Sequence, residues 1–352
     1  MLSRLFKSKP LTMLGLDIGT RFVKAVLLEQ KNDQLVLAGV ASEAIIGDAF
    51  VDREIKDFDA VANAIKKVRL SLKRPNMKRV CVAVSGAAVL SKVVYMPKGQ
   101  SDFELETQLE LEADSLIPFP IDDIYFDFER IEGQQTVPGK DDILLSVAHK
   151  NIINSRITLL REVELEPKII DIEGYALGHA LINLSPFSKN DNLCCFCVGA
   201  SQLQLTVIQN NRVIYSKELP FGVDNLVTDL SLIYSLDKQT ATRQLIDNTL
   251  PENWRVDLYP QFLGNLQQQI NRALQLYHSA THYDLPEQLV FTGGGTAIPQ
   301  LVDDLSTDLN KPIQLFDPFD RIDTSNVDTI LVSSQYAIAA GLAYRGFNPC
   351  HI

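Results

Sequence analysis

The sequence predicts an α/β fold built from two related halves, and three observations predict it. Apolar strand patterns alternate with amphipathic helix patterns from residue 13 to residue 346. Residues 16–26, LDIGTRFVKAV, lie over residues 196–206, FCVGASQLQLT, at a constant offset of 180. Both copies continue through a turn into a third strand, the pattern of a duplicated strand–turn–strand–turn–strand unit. Finally, the glycine triplet Gly293–Gly295 in LVFTGGGTAIPQL separates a buried strand from a helix.

Each element has its own warrant. MLGLDIG is an apolar strand ending in Asp-x-Gly. RFVKAVLLEQ alternates and puts Val23, Ala25 and Leu27 on one face; Asn32-Asp33 turns the chain into a third strand, QLVLAGVAS. Residues 57–74 have helix spacing, with Phe58, Val61, Ala62, Ile65, Val68 and Leu72 on one face. Asp57 or Asp59 caps that helix and Pro75 stops it. RVCVAVSG reads as a buried strand. Residues 102–116 read as one very acidic helix with Leu105, Leu109 and Leu116 inward, ended by the prolines of IPFP. IYFDFERI and DILLSVAHK are strands around a polar loop with Gly133, Pro138 and Gly139. The helix NIINSRITLLREVEL, the strand PKIIDIE and the helix GYALGHALINL follow. Residues 193–219 return to strands, turning at Asn210-Asn211; residues 223–283 are helical, most clearly in LGNLQQQINRALQLYHSA. SSQYAIAAGLAYRG reads as a helix of small residues.

Composition bounds the function. The chain has 352 residues, 46% apolar and 22% charged, as expected for a globular protein of two domains or one large bilobed one. A net charge of −11 argues against a general nucleic-acid binder, whose phosphate contacts need Lys and Arg. No 18-residue uncharged apolar run predicts a transmembrane helix. MLSRLFKSKP lacks the apolar core of a signal peptide. Leu2, Leu5 and Phe6 beside Arg4, Lys7 and Lys9 suit either a frayed terminus or a membrane surface. Five cysteines without regular spacing point to a reducing, cytoplasmic setting. Cys194, Cys195 and Cys197 crowd one strand, with Cys195 and Cys197 on one face and Cys194 on the other. Cys81, Cys350 and the histidines 149, 179, 278, 282 and 351 supply no second ligand pair, so these cysteines read as small buried hydrophobes rather than a zinc site.

The chemistry concentrates in the first copy of the repeat. Gly19 lets backbone N–H groups approach an anion, and Thr20 adds a hydroxyl. Asp17 points into the same space and suits a hydrated Mg²⁺; Lys24, on the outgoing strand, reaches a phosphate. An ordinary hairpin with a salt bridge is the plainer reading of this stretch alone. The glycine triplet favours a nucleotide site, with a helix N-terminus facing the anion.

These residues resemble the actin-like ATPase superfamily. GLDIGTRFVK looks like its first phosphate loop (Asp17, Gly19, Thr20, Arg21, Lys24), CFCVGASQLQL like the second (Gly199, Ala200, Ser201), and VFTGGGTAIP like its adenosine motif (Gly293, Gly294, Gly295, Thr296). IIDIEGYALGHAL is similar to the segment that places a water-orienting acid, here Glu173; the helix QQQINRALQLY makes Gln269 and Arg272 candidates for adenine and ribose. Within the superfamily, LELEADSLIPFPIDDIYFDFE and RVIYSKELPFGVDNL resemble the PilM family of type IV pilus assembly proteins over nearly the whole chain.

The resemblance implies two lobes, each built on an RNase H-like core duplicated within the chain, with ATP and Mg in the cleft between them. It divides the chain into subdomain 1A (11–78 and 166–190), 1C (79–165), 2A (191–222 and 286–335), 2B (223–285) and a C-terminal helix returning to the first lobe (336–352). It implies a cytoplasmic scaffold for pilus biogenesis and twitching motility, peripheral to the inner face of the inner membrane. That scaffold docks the cytoplasmic N-terminal peptide of PilN in a groove between 1A and 1C; Pro118, Phe119 and Pro120 are either a rigid connector that stops the preceding helix or the lip of that groove. Other pilus assembly proteins are implied partners, and a homo-oligomer stays open. The second loop departs from the superfamily pattern. Cys197 stands where Asp is usual, Leu203 and Gln204 where Thr is found nearby, and Gly222-Val223 where PilM relatives have two glycines. The lost carboxylate predicts ATP binding with weak or absent hydrolysis. A sugar-kinase-type phosphotransferase and an FtsA-like filament protein are the alternatives.

Overall fold

The computed structural model describes residues 12–347, apart from 33, 52, 132–136, 188–191, 286–287, 329 and 331. The N-terminal basic segment, Asp33 of the first turn, Gly133, Cys350 and His351 therefore lie outside the described residues. The strands in chain order are β1 (Leu14–Ile18), β2 (Phe22–Lys31), β3 (Gln34–Ala44), β4 (Phe50–Val51), β5 (Glu54–Ile55), β6 (Arg79–Val84), β7 (Val89–Pro97), β8 (Ile124–Arg130), β9 (Lys140–His149), β10 (Glu166–Ile172), β11 (Leu193–Val198), β12 (Leu203–Gln209), β13 (Arg212–Leu219), β14 (Leu289–Thr292) and β15 (Ile313–Leu315). The helices are α1 (Phe58–Ser71), α2 (Asp102–Leu111), α3 (Ala113–Leu116), α4 (Lys150–Glu162), α5 (Glu173–Leu184), α6 (Val223–Tyr234), α7 (Lys238–Ile246), α8 (Trp254–Asp257), α9 (Tyr259–Thr281), α10 (Leu301–Leu309) and α11 (Ala337–Tyr344).

The duplication read at an offset of 180 is a duplication of topology. One five-stranded sheet runs β3-β2-β1-β6-β10 and the other β13-β12-β11-β14-β15. In each, the first three strands are antiparallel, and the fourth and fifth are added parallel to the first. Even the pairing register repeats: Asp17 lies opposite Lys24, and Cys197 opposite Gln204. The cysteine faces fall as the alternation requires. Cys194 packs into the outer core of the second lobe, while Cys195 and Cys197 face the layer between the sheets.

The molecule is a stack of layers. A core of Val61, Ile65, Val68, Leu159 and Leu160 holds α1 and α4 on the outside of the first sheet. Leu226, Leu266 and Ile270 hold α6 and α9 on the outside of the second. Between the two sheets run α5 and α11, packed with Val26, Leu28, Cys195 and Val290. This explains why β2 is buried on both faces, where one apolar face was expected. The small residues of α11 serve a backbone-to-backbone crossing. A Cβ on Gly341 would lie 1.8 Å from the Ala176 carbonyl oxygen of α5, and one on Gly15 of β1 would lie 2.0 Å from that of Ala339.

Two local expectations change. The acidic stretch is not one helix: α2 is closed at its start by a Ser101–Glu104 capping box and stops at Glu112, and the single turn α3 follows. The break turns Ala113 and Ile117 into the core beside Leu105 and Leu109, with Leu116 half-buried. In addition, VLSKVVYMP is a strand, β7, in a three-stranded sheet of order β7-β9-β8 whose inner face packs on α2 and α3. Asp57 caps α1 by accepting from the Ala60 N–H at 2.9 Å, as read.

Candidate functional site

The two glycine hairpins face each other across the seam between the lobes. In both, the glycine N–H closes its own turn: Gly19 donates to the Phe22 carbonyl at 3.1 Å and Gly199 to the Gln202 carbonyl at 2.9 Å. The glycine N–H groups are therefore spent, and amide donors for an anion would come from the residues after each glycine. At the tips, the Thr20 hydroxyl donates to the Ser201 hydroxyl at 3.1 Å, and Arg21 pairs with Asp224 of α6 at 2.9 Å. Both hydroxyls face one point, so a phosphate held by both loops would exchange this bond for two to its own oxygens.

Beneath the tips sits the Asp17–Lys24 pair at 2.6 Å, with Asp17 4% exposed. Burial works against the Lys24 charge, but the charge of Asp17 and its hydrogen bond outweigh it and hold the ammonium above the usual lysine range; Glu173 adds to this. The equivalent pair in the second lobe carries no charge. Burial pushes the Cys197 thiol up to about 12, against the pull of Lys24. Gln204 is buried and donates to the Ser216 hydroxyl at 2.8 Å.

Glu173 opens α5, 7% exposed, and pairs with Arg53 of the β4–β5 hairpin. Arg53 also holds the Ser85 hydroxyl through Nε at 3.1 Å. From the second lobe, Glu218 of β13 accepts from the Gly86 N–H at 2.8 Å and from Gln202 at 3.1 Å, which bridges the lobes. Burial and the neighbouring Glu173 raise the Glu218 carboxyl to about 7, opposed by Arg53. Arg156 of α4 is 4% exposed, and burial followed by repulsion from Arg53 lowers it to about 10, with Glu173 and Asp17 within electrostatic reach. Arg53, Ser85, Arg156, Gln202 and Glu218 escaped the sequence reading because they come from five separate segments with no common spacing.

Of the remaining candidates, the glycine triplet packs against the second hairpin, and the others do not touch either loop through a hydrogen bond or ion pair among the described residues. Gly293 takes φ 92°, a conformation suited to glycine, and a Cβ there would sit 2.6 Å from the Val198 carbonyl oxygen. The triplet leads into a 3₁₀ turn, Gly294–Ala297, and α10 starts only at Leu301. The expected α-helix N-terminus at the triplet is therefore displaced past Pro299, because proline cannot donate to a continuing helix. Thr296 is braced instead by the Ser334 hydroxyl at 2.9 Å. Gln269 and Arg272 lie on the solvent side of α9, in a shallow groove of about 590 Å³ lined by that helix alone. Among the described residues, no hydrogen bond or ion pair joins them to the loops. Phe119 is half-buried and stands edge-on to His149 at 4.4 Å between centroids; Pro118 and Pro120 are exposed. The described cysteines are free and buried, and no group of three or more His, Cys, Asp or Glu among the described residues could hold a metal. Nor is any described helix long and apolar enough to cross a membrane.

The sequence profile of the family described as Type IV pilus assembly protein PilM matches residues 15–347. The chain belongs to the PilM family. A solved PilM–PilN type IV pilus biogenesis complex is similar to it with a TM-score of 0.82, at 21% identity over 97% of this chain and 100% of that one. MreB5 of Spiroplasma citri bound to AMPPNP is similar with a TM-score of 0.50, at 13% identity over 96% of both chains. These likenesses give the PilM-family chain an actin-like ATPase fold of two lobes. The cell division protein FtsA of Bacillus subtilis (strain 168) is 22% identical over 253 residues, 65% of this chain and 56% of its own length. The chain thus matches little more than half the length of the curated relatives, with 54% for FtsA of Buchnera aphidicola.

Proposed function

We propose that this PilM-family chain is an ATP-holding scaffold of the type IV pilus inner-membrane platform, which docks the cytoplasmic tail of PilN. One observation carries the nucleotide half: two hairpins of the same register meet at Thr20 and Ser201 above a buried Asp17–Lys24 pair. The amides and hydroxyls of both loops suit a phosphate chain, and Asp17 suits Mg²⁺ held through water. The glycine triplet supplies the close backbone approach for the sugar and α-phosphate, and the α9 face with Gln269 and Arg272 is assigned to the base and ribose. Glu173 would orient water, but the neutral Cys197–Gln204 pair removes the second charged pair, so hydrolysis is slow. Family membership and the fold of the PilM–PilN complex support the partner half. On this reading subdomain 1C (79–165) contributes the inserted sheet β7-β9-β8 with α2 and α3, while β6 and α4 of the same span pack with the first sheet, and the tail lies between 1C and 1A near Pro118–Pro120. The scaffold works at the inner face of the inner membrane, among other pilus assembly proteins. No feature of the cleft singles out the phosphotransferase or filament readings.

The test is calorimetric titration of a PilN-tail peptide into the protein with and without Mg-ATP. Peptide binding that changes with nucleotide is expected. Absence of peptide binding in both states would overturn the docking assignment. ATP affinity unchanged by Asp17→Asn would overturn the cleft assignment.

A further inference from the structure

One buried charge near the Arg53–Glu173 pair has no hydrogen-bond partner among the described residues. Arg156 is 4% exposed, and its Nη1 meets no acceptor among the described residues. An unpaired buried guanidinium edge is costly unless something anionic completes it. The other cation at this end of the cleft is held by small means. Arg53 adopts φ 71°, a left-handed conformation. Position 53 is in the tight turn between β4 and β5, where such a φ is usual, and its guanidinium grips Ser85 and Glu173 through Nε and Nη2, which leaves Nη1 out.

The two arginines are mechanically linked. Phe50, on the same two-strand hairpin as Arg53, lies under the Arg156 guanidinium at 5.9 Å. The hairpin therefore touches both cations; Glu173 and Asp17 lie within electrostatic reach of Arg156, and the same two carboxylates act on Lys24. Lys24 is committed to Asp17 and Arg53 to Glu173, whereas Glu218 is raised toward neutrality. The cluster is thus short of negative charge on the side of Arg156.

We propose that Arg53 and Arg156 receive the terminal phosphate of a nucleoside triphosphate, so that this arginine pair, coupled through Phe50, distinguishes triphosphate from diphosphate. This rests on the nucleotide reading above and goes beyond it, because neither arginine belongs to a glycine hairpin. A phosphate dianion takes two guanidinium edges at once, through the fork geometry that lysine lacks. Arg53 turns its Nη1 edge to the phosphate, and Arg156 gains the acceptor that it lacks. A diphosphate ends one phosphate short and leaves both as they stand. Because α4 follows β9 of the small sheet, the signal starts on the helix joining that sheet to the first lobe.

The experiment compares the dissociation constants of ATP, AMPPNP and ADP, each with Mg²⁺, for the wild type, Arg53→Gln, Arg53→Lys and Arg156→Lys. Thermal melts identify any variant that has lost its fold. The wild type should prefer the triphosphates by about tenfold or more, the scale of one charge-assisted contact. Arg53→Gln should bring that ratio to within about threefold, with Arg53→Lys intermediate. Folded Arg53→Gln and Arg156→Lys that keep the wild-type ratio would overturn the proposal. A wild type that binds ATP and ADP equally would also overturn it while the nucleotide cleft stands. A wild type that binds neither would sink the cleft assignment itself.

Discussion

Glu218→Gln isolates one lobe-bridging contact. Glu218 accepts from the Gly86 N–H at 2.8 Å and from Gln202, and burial with Glu173 raises its carboxyl from 4.5 to about 7. A raised carboxyl binds its proton more tightly folded than unfolded. Its stabilisation is therefore fully present below the ordinary glutamate value and is lost as pH rises through about 7. At about 1.4 kcal/mol per tenfold change in proton affinity, the ceiling is about 3 kcal/mol. Residual solvent access brings the expectation to about 1–2 kcal/mol. Glutamine keeps the acceptor oxygen and cannot ionise. Urea unfolding from pH 5 to pH 8 should show the variant gaining on the wild type as pH rises, with the two nearly equal at pH 5. A difference that stays flat within about 0.5 kcal/mol, or that grows toward low pH, would refute the reasoning.

Two further outcomes follow from the same cleft. Lys24→Met strands the Asp17 carboxylate, 4% exposed, and should cost about 3–5 kcal/mol in urea unfolding, most of it recovered by adding Asp17→Asn; a loss under about 1 kcal/mol would contradict the pairing. Cys194 and Cys197, both raised to about 12 by burial, should resist thiol labelling at pH 8 along with Cys81 and Cys195 until the chain is denatured, as read by peptide mass spectrometry.

The repeat was legible because both copies need the same physics: an apolar strand, a tight turn at glycine, and a partner strand in fixed register. The offset of 180 puts Cys197 at the position of Asp17 and Gln204 at that of Lys24, and the structure adds that each pair lies directly opposite in its hairpin. The α1 helix was legible for the same kind of reason, since its cap and its apolar face are local signals. β7 was not, because Ser91, Lys92 and Pro97 dilute its alternation and its apolar side gains meaning only against α2 and α3. The break at Glu112 was hidden too: leucines at helix spacing continue past it, and only the core shows that Ala113 and Ile117 turn inward. The cluster of Arg53, Arg156, Glu173 and Glu218 was out of reach, because tertiary closure alone brings a hairpin, a helix and the opposite lobe to one point.

The crossing of α5 and α11 sets the order in which the protein can be finished. The inner face of the first sheet is covered by α11, which follows every other α-helix and β-strand described here. During synthesis, β1 and β2 emerge early, and the part of that face that α11 covers stays open until the helix arrives. The first lobe cannot close as an independent unit, because the helix that finishes it also packs on α5 in the layer shared with the second sheet. Any chain halted before residue 337 would present a wide apolar surface to other proteins, a substrate for chaperones rather than a partly working scaffold.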